Sequence, residues 1–234
     1  MKDLPAYDTA MQALCGLMSV NGDAPSGPLR VGLPVVDMTT GLNAAIGILL
    51  ALQARSATGR GQFVETTLYA NALSMLHPHA SNFFATGKIP LLTGNAHPNI
   101  YPYDLFETKS GAIYLAIGND KQFRIFCEHM GLDELAAHSD FLTNPQRSVH
   151  RERLRELLID ALRETDGVGL ASALLLKGVP CAPVRNIEEV MNSDQTRASG
   201  AVVEIEGGYK GIASPIHLSE NPPTYRIAPQ ILPV

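Results

Sequence analysis

The sequence predicts an α/β protein made of two structural units, and three observations carry that prediction. The first is an apolar run, Val31–Val36 (VGLPVV), that ends at Asp37 and leads into a long apolar helical pattern over residues 39–55, followed by the alternating run Phe63–Leu68. The second is the stretch from His77 to Ile100, where Pro, His, Asn and Gly interrupt any periodic pattern and mark a linker. The third is a pair of strand-like runs, Tyr103–Glu107 and Ala112–Gly118, around the turn Thr108–Gly111. With helical patterns after them, they read as a small α+β unit on a short antiparallel sheet.

Taken in order, Asp8–Val20 carries apolar residues at helical spacing and reads as a helix, and Asn21–Pro28 (NGDAPSGP) is a turn-rich loop. Val31–Val36 is a short strand or extended run. Residues 39–55 (TTGLNAAIGILLALQAR) form a helix that is apolar nearly all round, so the pattern calls for cover from a sheet or other helices on more than one side. Thr58–Gln62 is a glycine-containing turn, Phe63–Leu68 a strand, and Tyr69–Leu76 the start of a helix. Further helices are expected at Asp120–Met130, 148–164 and Gly169–Lys177. Ala201–Glu206 and Ile212–Pro215 read as strands of a return segment, and Asn221–Val234 as a proline-rich irregular tail. The resulting divisions are 1–76, a linker at 77–100, 101–197 and 198–234.

Hydrophobic residues make up 45% of the 234 and charged residues 18%, the balance of a chain that buries a core. Net charge is −5 with Lys and Arg scattered, which argues against a nucleic-acid surface. Cys15, Cys127 and Cys181 are odd in number and far apart, so they read as reduced thiols rather than a disulfide framework or a zinc site. The most apolar stretch, residues 42–52, is expected to end at Arg55 short of a bilayer span, and the N-terminus lacks a signal pattern. A soluble, cytoplasmic protein is expected, with no membrane or nucleic-acid partner.

Five segments carry a resemblance: Tyr7–Met18 (YDTAMQALCGLM), residues 28–41 (PLRVGLPVVDMTTG), Thr58–Thr67 (TGRGQFVETT), Pro98–Asp120 (PNIYPYDLFETKSGAIYLAIGND) and Gly178–Val184 (GVPCAPV). In this order they resemble the class III (CaiB/BaiF) CoA-transferases, the family of formyl-CoA transferase, carnitine CoA-transferase and alpha-methylacyl-CoA racemase. The resemblance implies that 1–76 is part of a Rossmann-like large domain with the catalytic loop, that 101–197 is the small α+β domain, and that 198–234 returns to the large domain. Family members also carry a substantial region ahead of the position of Tyr7, holding much of the CoA cradle, and a final helix after the position where this sequence stops. A sequence lacking both is expected to leave apolar surface uncovered and to associate.

Asp37 stands at a strand-to-helix junction, where backbone N–H groups and the helix dipole favour an anion; by position it is either a nucleophile or a helix N-cap. The resemblance gives it the nucleophile's role, since a carboxylate can exchange CoA between acids through mixed anhydrides and an aspartyl-CoA thioester. Tyr7 matches a tyrosine near the active site of transferase members, where its hydroxyl would serve an oxyanion; the alternative is an amphipathic tyrosine at a helix start. Gly94, Asn95 and Pro98, in TGNAHPN, match a loop near the active site, or else form an ordinary turn. His77 and His79 lack ligand-spaced partners, so no metal is expected.

The resemblance thus implies CoA transfer between an acyl-CoA and a small carboxylic acid, with CoA as substrate, no permanently bound cofactor, and either a homodimer alone or one joined by a separate chain that supplies the missing N-terminal half. A truncated, non-catalytic remnant that keeps the dimerisation scaffold is the alternative. An acyl-CoA racemase is disfavoured because that branch has a histidine in the place of Tyr7.

Overall fold

Helix α1 (Asp8–Leu14) opens the first of two units into which contacts divide the chain, Met1–Ala182 and Pro183–Val234. The computed structural model describes residues 5–205 and 207–229. The helix expected over Asp8–Val20 is cut short by Gly16, whose φ of +87° leaves the helical region, and only a 3-10 turn, Met18–Val20, continues it. A minimal hairpin follows, β1 (Gly22–Asp23) against β2 (Gly27–Pro28).

The run Val31–Val36 forms no strand. Gly32 and Pro34 interrupt it, and a proline within a run cannot donate to a ladder. Helix α2 (Val35–Thr58) therefore begins inside the expected strand and puts Asp37 in its first turn; it ends at Gly59 in the left-handed conformation. Phe63–Leu68 is also not a strand: residues 61–67 belong to no helix or ladder, with Phe63 87% exposed. They pass so close to α2 that a Cβ on Gly47 would lie 2.8 Å from Val64 Cγ1. Helix α3 (Leu68–Ser74) starts from Thr67, whose side chain accepts from Ala70 N–H at 3.1 Å.

These helices share a core of Met11, Cys15, Leu17, Val36 and Ala72. Along α2 only Val36 is buried, while Leu42, Ile46, Ile48, Leu49 and Leu50 are each more than half exposed. The cover that an all-round apolar helix demands is thus missing within the described residues, which contain no sheet against α2. At 24 residues α2 is also long and apolar enough to cross a membrane by length and composition, so Arg55 does not end it where the sequence suggests.

The expected linker contains a helix, α4 (His79–Thr86), before the small sheet. Strands β3 (Tyr103–Thr108) and β4 (Gly111–Ala116) pair antiparallel with Phe106 opposite Ile113 and Asp104 opposite Leu115, all four on the buried face. Helices α5 (Asp120–Met130), α6 (Asp133–Ala137), α7 (Asn144–Val149), α8 (Arg151–Leu162) and α9 (Gly167–Leu176) follow, and a third strand, β5 (Cys181–Pro183), lies beside β4. The single helix expected over 148–164 is two, broken at His150. Phe123, Phe126, Phe141, Leu154, Leu158, Leu162, Leu170 and Leu174 fill the core beneath the sheet.

Arg147 is buried in that core with each of its three guanidinium nitrogens hydrogen-bonded. It donates to Tyr101 O at 2.8 Å, Phe141 O at 2.9 Å and Asp120 Oδ1 at 2.8 Å, and lies 4.5 Å from the centre of the Phe123 ring. Burial pushes the Cys127 thiol up to about 12 and Cys181 up to about 11, and raises Cys15 as well. None of the three is expected to react with a thiol reagent at pH 8 in the native protein, and all three in denaturant. Rapid labelling of the native chain, read by intact mass, would contradict this.

In the second unit α10 (Ile187–Met191) and α11 (Asp194–Ser199) precede a hairpin of β6 (Val202–Ile205) and β7 (Tyr209–Ile212). Neither helix is expected from the sequence, and the second strand falls before the expected Ile212–Pro215. Residue 206 and the end of the tail, 230–234, lie outside the described residues.

Candidate functional site

The first turn of α2 is organised by α1. Asp8, 7% exposed, turns its carboxylate onto that turn: Oδ2 accepts from Val36 N–H at 2.8 Å and Asp37 N–H at 3.1 Å, while Oδ1 accepts from Gln12 Nε2. Gln12 is fully buried, and its Oε1 accepts from Val31 N–H at 2.8 Å. The segment entering α2 is therefore fixed from one side by an acid and an amide four residues apart on α1.

This division of labour bears on Asp37. The capping that position alone allows it to perform is done by Asp8, and the Asp37 side chain has no hydrogen-bond or ion-pair partner among the described residues. Its carboxylate is exposed in the first turn, where the helix presents its partial positive charge. Tyr7 directly precedes Asp8 and is 84% exposed, so Tyr7 and Asp37 are brought to one corner through the Asp8 carboxylate.

Gly94, Asn95 and Pro98 lie elsewhere, in a loop tied to the hairpin and to the small sheet. Gly94 N–H donates to Gly22 O at 2.8 Å, and its φ of +61° and a 3.3 Å approach of Asp23 Cβ to where a Cβ would stand both call for glycine. Asn95 O accepts from the Tyr114 hydroxyl at 2.7 Å, and Pro98 O from Arg151 at 3.2 Å. His97 between them accepts from Asn99 N–H at 3.1 Å and Ile100 N–H at 3.2 Å through Nδ1, and burial, with His79 and Arg151 nearby, lowers its pKa. No hydrogen bond among the described residues joins this loop to Asp37. No group of three or more His, Cys, Asp and Glu suited to a metal occurs among them.

The sequence reading missed Asp8 and Gln12, although the i, i+4 spacing of an acid and an amide is a visible signal for a linked pair on one helix face. Asp8→Ala removes both acceptors and leaves buried N–H groups unpaired. A loss of about 1–2 kcal/mol is expected, with a smaller loss for Asp8→Asn, which keeps one oxygen. Urea unfolding tests this; an unchanged midpoint for the alanine variant would contradict it.

The comparisons with known proteins agree on one relationship. The family model for CoA-transferase family III matches residues 1–231. The chain is 31% identical over 227 residues to a succinate–glutarate CoA-transferase of Agrobacterium fabrum, covering 95% of this chain and 57% of that protein. It is 33% identical over 204 residues to the human succinyl-CoA:glutarate CoA-transferase, covering 86% of this chain and 46% of that protein. A solved CAIB/BAIF family protein from Brucella suis superimposes with a TM-score of 0.76 at 33% identity, over 93% of this chain and 57% of that one. A Mycobacterium tuberculosis structure, Rv3272, at 19% identity and a TM-score of 0.81, shares the fold. The chain thus spans about half the length of the relatives it matches, and with a family model matched along nearly all of it, it belongs to CoA-transferase family III.

Proposed function

We propose that this chain is the catalytic-loop portion of a cytoplasmic CoA-transferase that moves CoA between an acyl-CoA and a small carboxylic acid, with Asp37 as the nucleophile. The observation that carries this reading is the Asp37 carboxylate, exposed and unpartnered among the described residues while Asp8 takes over the capping of its helix. In the proposed sequence the carboxylate attacks the thioester carbonyl, CoA leaves as thiolate, and an aspartyl–acyl anhydride forms. The thiolate then attacks the aspartyl carbonyl, releasing the donor acid and leaving an aspartyl-CoA thioester. An acceptor carboxylate reverses both steps and departs as its CoA ester. Tyr7, at the same corner, is suited to donate to the oxyanions that form on the way.

The relatives named above act on succinyl-CoA, succinate or glutarate, so a dicarboxylate is the first acceptor to try. The test is to supply succinyl-CoA and labelled glutarate and look for labelled glutaryl-CoA. Its formation supports the proposal. Absence of transfer by chain in its working assembly supports instead the non-catalytic reading, which the bare face of α2 favours.

That face also points to association. Burying it between chains is the readiest way to remove it from water at about 25 cal/mol per Å². A homodimer or larger assembly is expected from light scattering at micromolar concentration; a stable monomer that binds no apolar dye would contradict it.

A further inference from the structure

His97 closes the turn that leads into the small sheet. Its Nδ1 accepts from Asn99 N–H at 3.1 Å and from Ile100 N–H at 3.2 Å, its own N–H donates to Tyr103 O at 2.9 Å, and its ring centre lies 5.2 Å from that of Tyr103. A ring nitrogen that accepts from two N–H groups carries no proton, so the imidazole is neutral with its hydrogen on Nε2. Among the described residues the N–H groups of Asn99 and Ile100 have Nδ1 as their acceptor and no other.

The rest of the turn is held by bonds that a proton on His97 leaves alone. Asn95 O accepts from the Tyr114 hydroxyl, Pro98 O from Arg151, and Asn99 O from Asn144 Nδ2 at 3.1 Å. The Asn99 side chain exchanges two hydrogen bonds with Asn82 of α4, at 2.9 and 3.2 Å.

The charged groups that bear on the ring are His79 of α4 and Arg151 of α8, and neither is an acid. The acids of the surrounding elements are placed elsewhere. Asp104, next to Tyr103 on β3 and on the opposite face, accepts from Arg155 Nε at 3.4 Å. Asp23, beside Gly94, accepts from Ser26 N–H at 2.8 Å, and Glu152 bears on Tyr101. Burial, and after it the charges of His79 and Arg151, lowers the His97 pKa from its ordinary value. The unfolded segment therefore takes up the proton more readily than the folded turn, so the turn is at full strength above about pH 6.5 and weakens as pH falls below it.

We propose that His97 is a proton-operated latch on the turn 97–100: a proton taken from solvent at Nδ1 turns an acceptor into a donor that faces two other donors, and the turn opens while its carbonyls stay tied to Tyr114, Arg151 and Asn144. The latch sits where the loop of Gly94, Asn95 and Pro98 joins the small sheet, and it stands independently of the role proposed for Asp37.

Nuclear magnetic resonance of the full chain, followed down from about pH 8 until the ring titrates, tests this. Expected at the upper end is the Nε2–H tautomer of His97. On the way down, protection of the Asn99 and Ile100 amides against hydrogen exchange, corrected for intrinsic rates, should fall about tenfold or more with the midpoint of the ring itself, while the β3–β4 ladder keeps its protection. His97→Asn offers a side-chain oxygen near the place of Nδ1 and does not titrate, so it should keep the protection and lose its pH dependence; His97→Leu, with no acceptor, should lose the protection at every pH. An Nδ1–H tautomer at the upper end, amides that stay protected through the titration of the ring, or the same pH dependence in His97→Asn would overturn the proposal. A ring that stays unprotonated until the β3–β4 ladder itself opens would equally overturn it.

Discussion

Asp37→Asn is expected to lower the rate of CoA transfer on the order of 10⁴-fold or more while leaving the unfolding midpoint unchanged. An amide has nearly the same shape but cannot form an anhydride or a thioester with CoA, so every covalent step is lost. The side chain is exposed and holds nothing else together among the described residues, which puts the expected stability change within about 0.5 kcal/mol. Steady-state transfer assays and urea curves on the same preparation separate the two effects. Transfer within tenfold of the native rate would remove Asp37 from the chemistry; a shifted midpoint would show that it supports the fold.

The largest stability effect is expected at Arg147. Arg147→Met replaces the side chain with an apolar one of comparable length but leaves the carbonyls of Tyr101 and Phe141 without their donor in a closed core. Each buried acceptor left unpaired costs about 1–3 kcal/mol, and release of the guanidinium from its own desolvation offsets only part of that. Asp120 has a side chain 40% exposed and regains water, so it adds little. A net loss of about 3 kcal/mol is expected from urea unfolding. Arg147→Lys should fall between the two, because an ammonium cannot span three acceptors in different directions or lie flat over Phe123. A methionine variant within 0.5 kcal/mol of the native protein, on the order of an ordinary surface change, would contradict this.

What the sequence made legible follows the range of the interactions involved. The hairpin β3–β4 and helix α5 were readable because their signals are local: alternating apolar residues, a turn at Thr108–Gly111, and Asn119 accepting from Gln122 N–H at the helix start. Val31–Val36 misled because its β-branched residues suggest a strand, whereas Asp8, 28 positions before Val36 in the chain, stabilises the start of a helix. The break at His150 is hidden because Leu154, Leu158 and Leu162 continue a helical stripe past it. Strand β5 is three residues long, too short for any pattern to show. Arg147 looks like any helical arginine until the carbonyls that receive it are seen.

For the candidate site, Asp37 and Tyr7 stood out through the words around them, and the structure adds the residue that links them. The loop of Gly94, Asn95 and Pro98 stood out in the same way, yet within the described residues it belongs to the hairpin and the small sheet. The need for cover over α2 was readable from composition alone, since a helix apolar all round has to be covered by something, whereas its bareness was an expectation of the family resemblance.

The most direct measurement is chemical trapping of the proposed aspartyl-CoA thioester. The assembly is incubated with succinyl-CoA, treated with hydroxylamine, digested, and the peptides are analysed by mass. The expected result is a hydroxamate on Asp37 that requires the thioester and is absent from Asp37→Asn. A hydroxamate on another carboxylate, or efficient CoA transfer with Asp37 left unmodified, would contradict the assignment of Asp37 as the nucleophile.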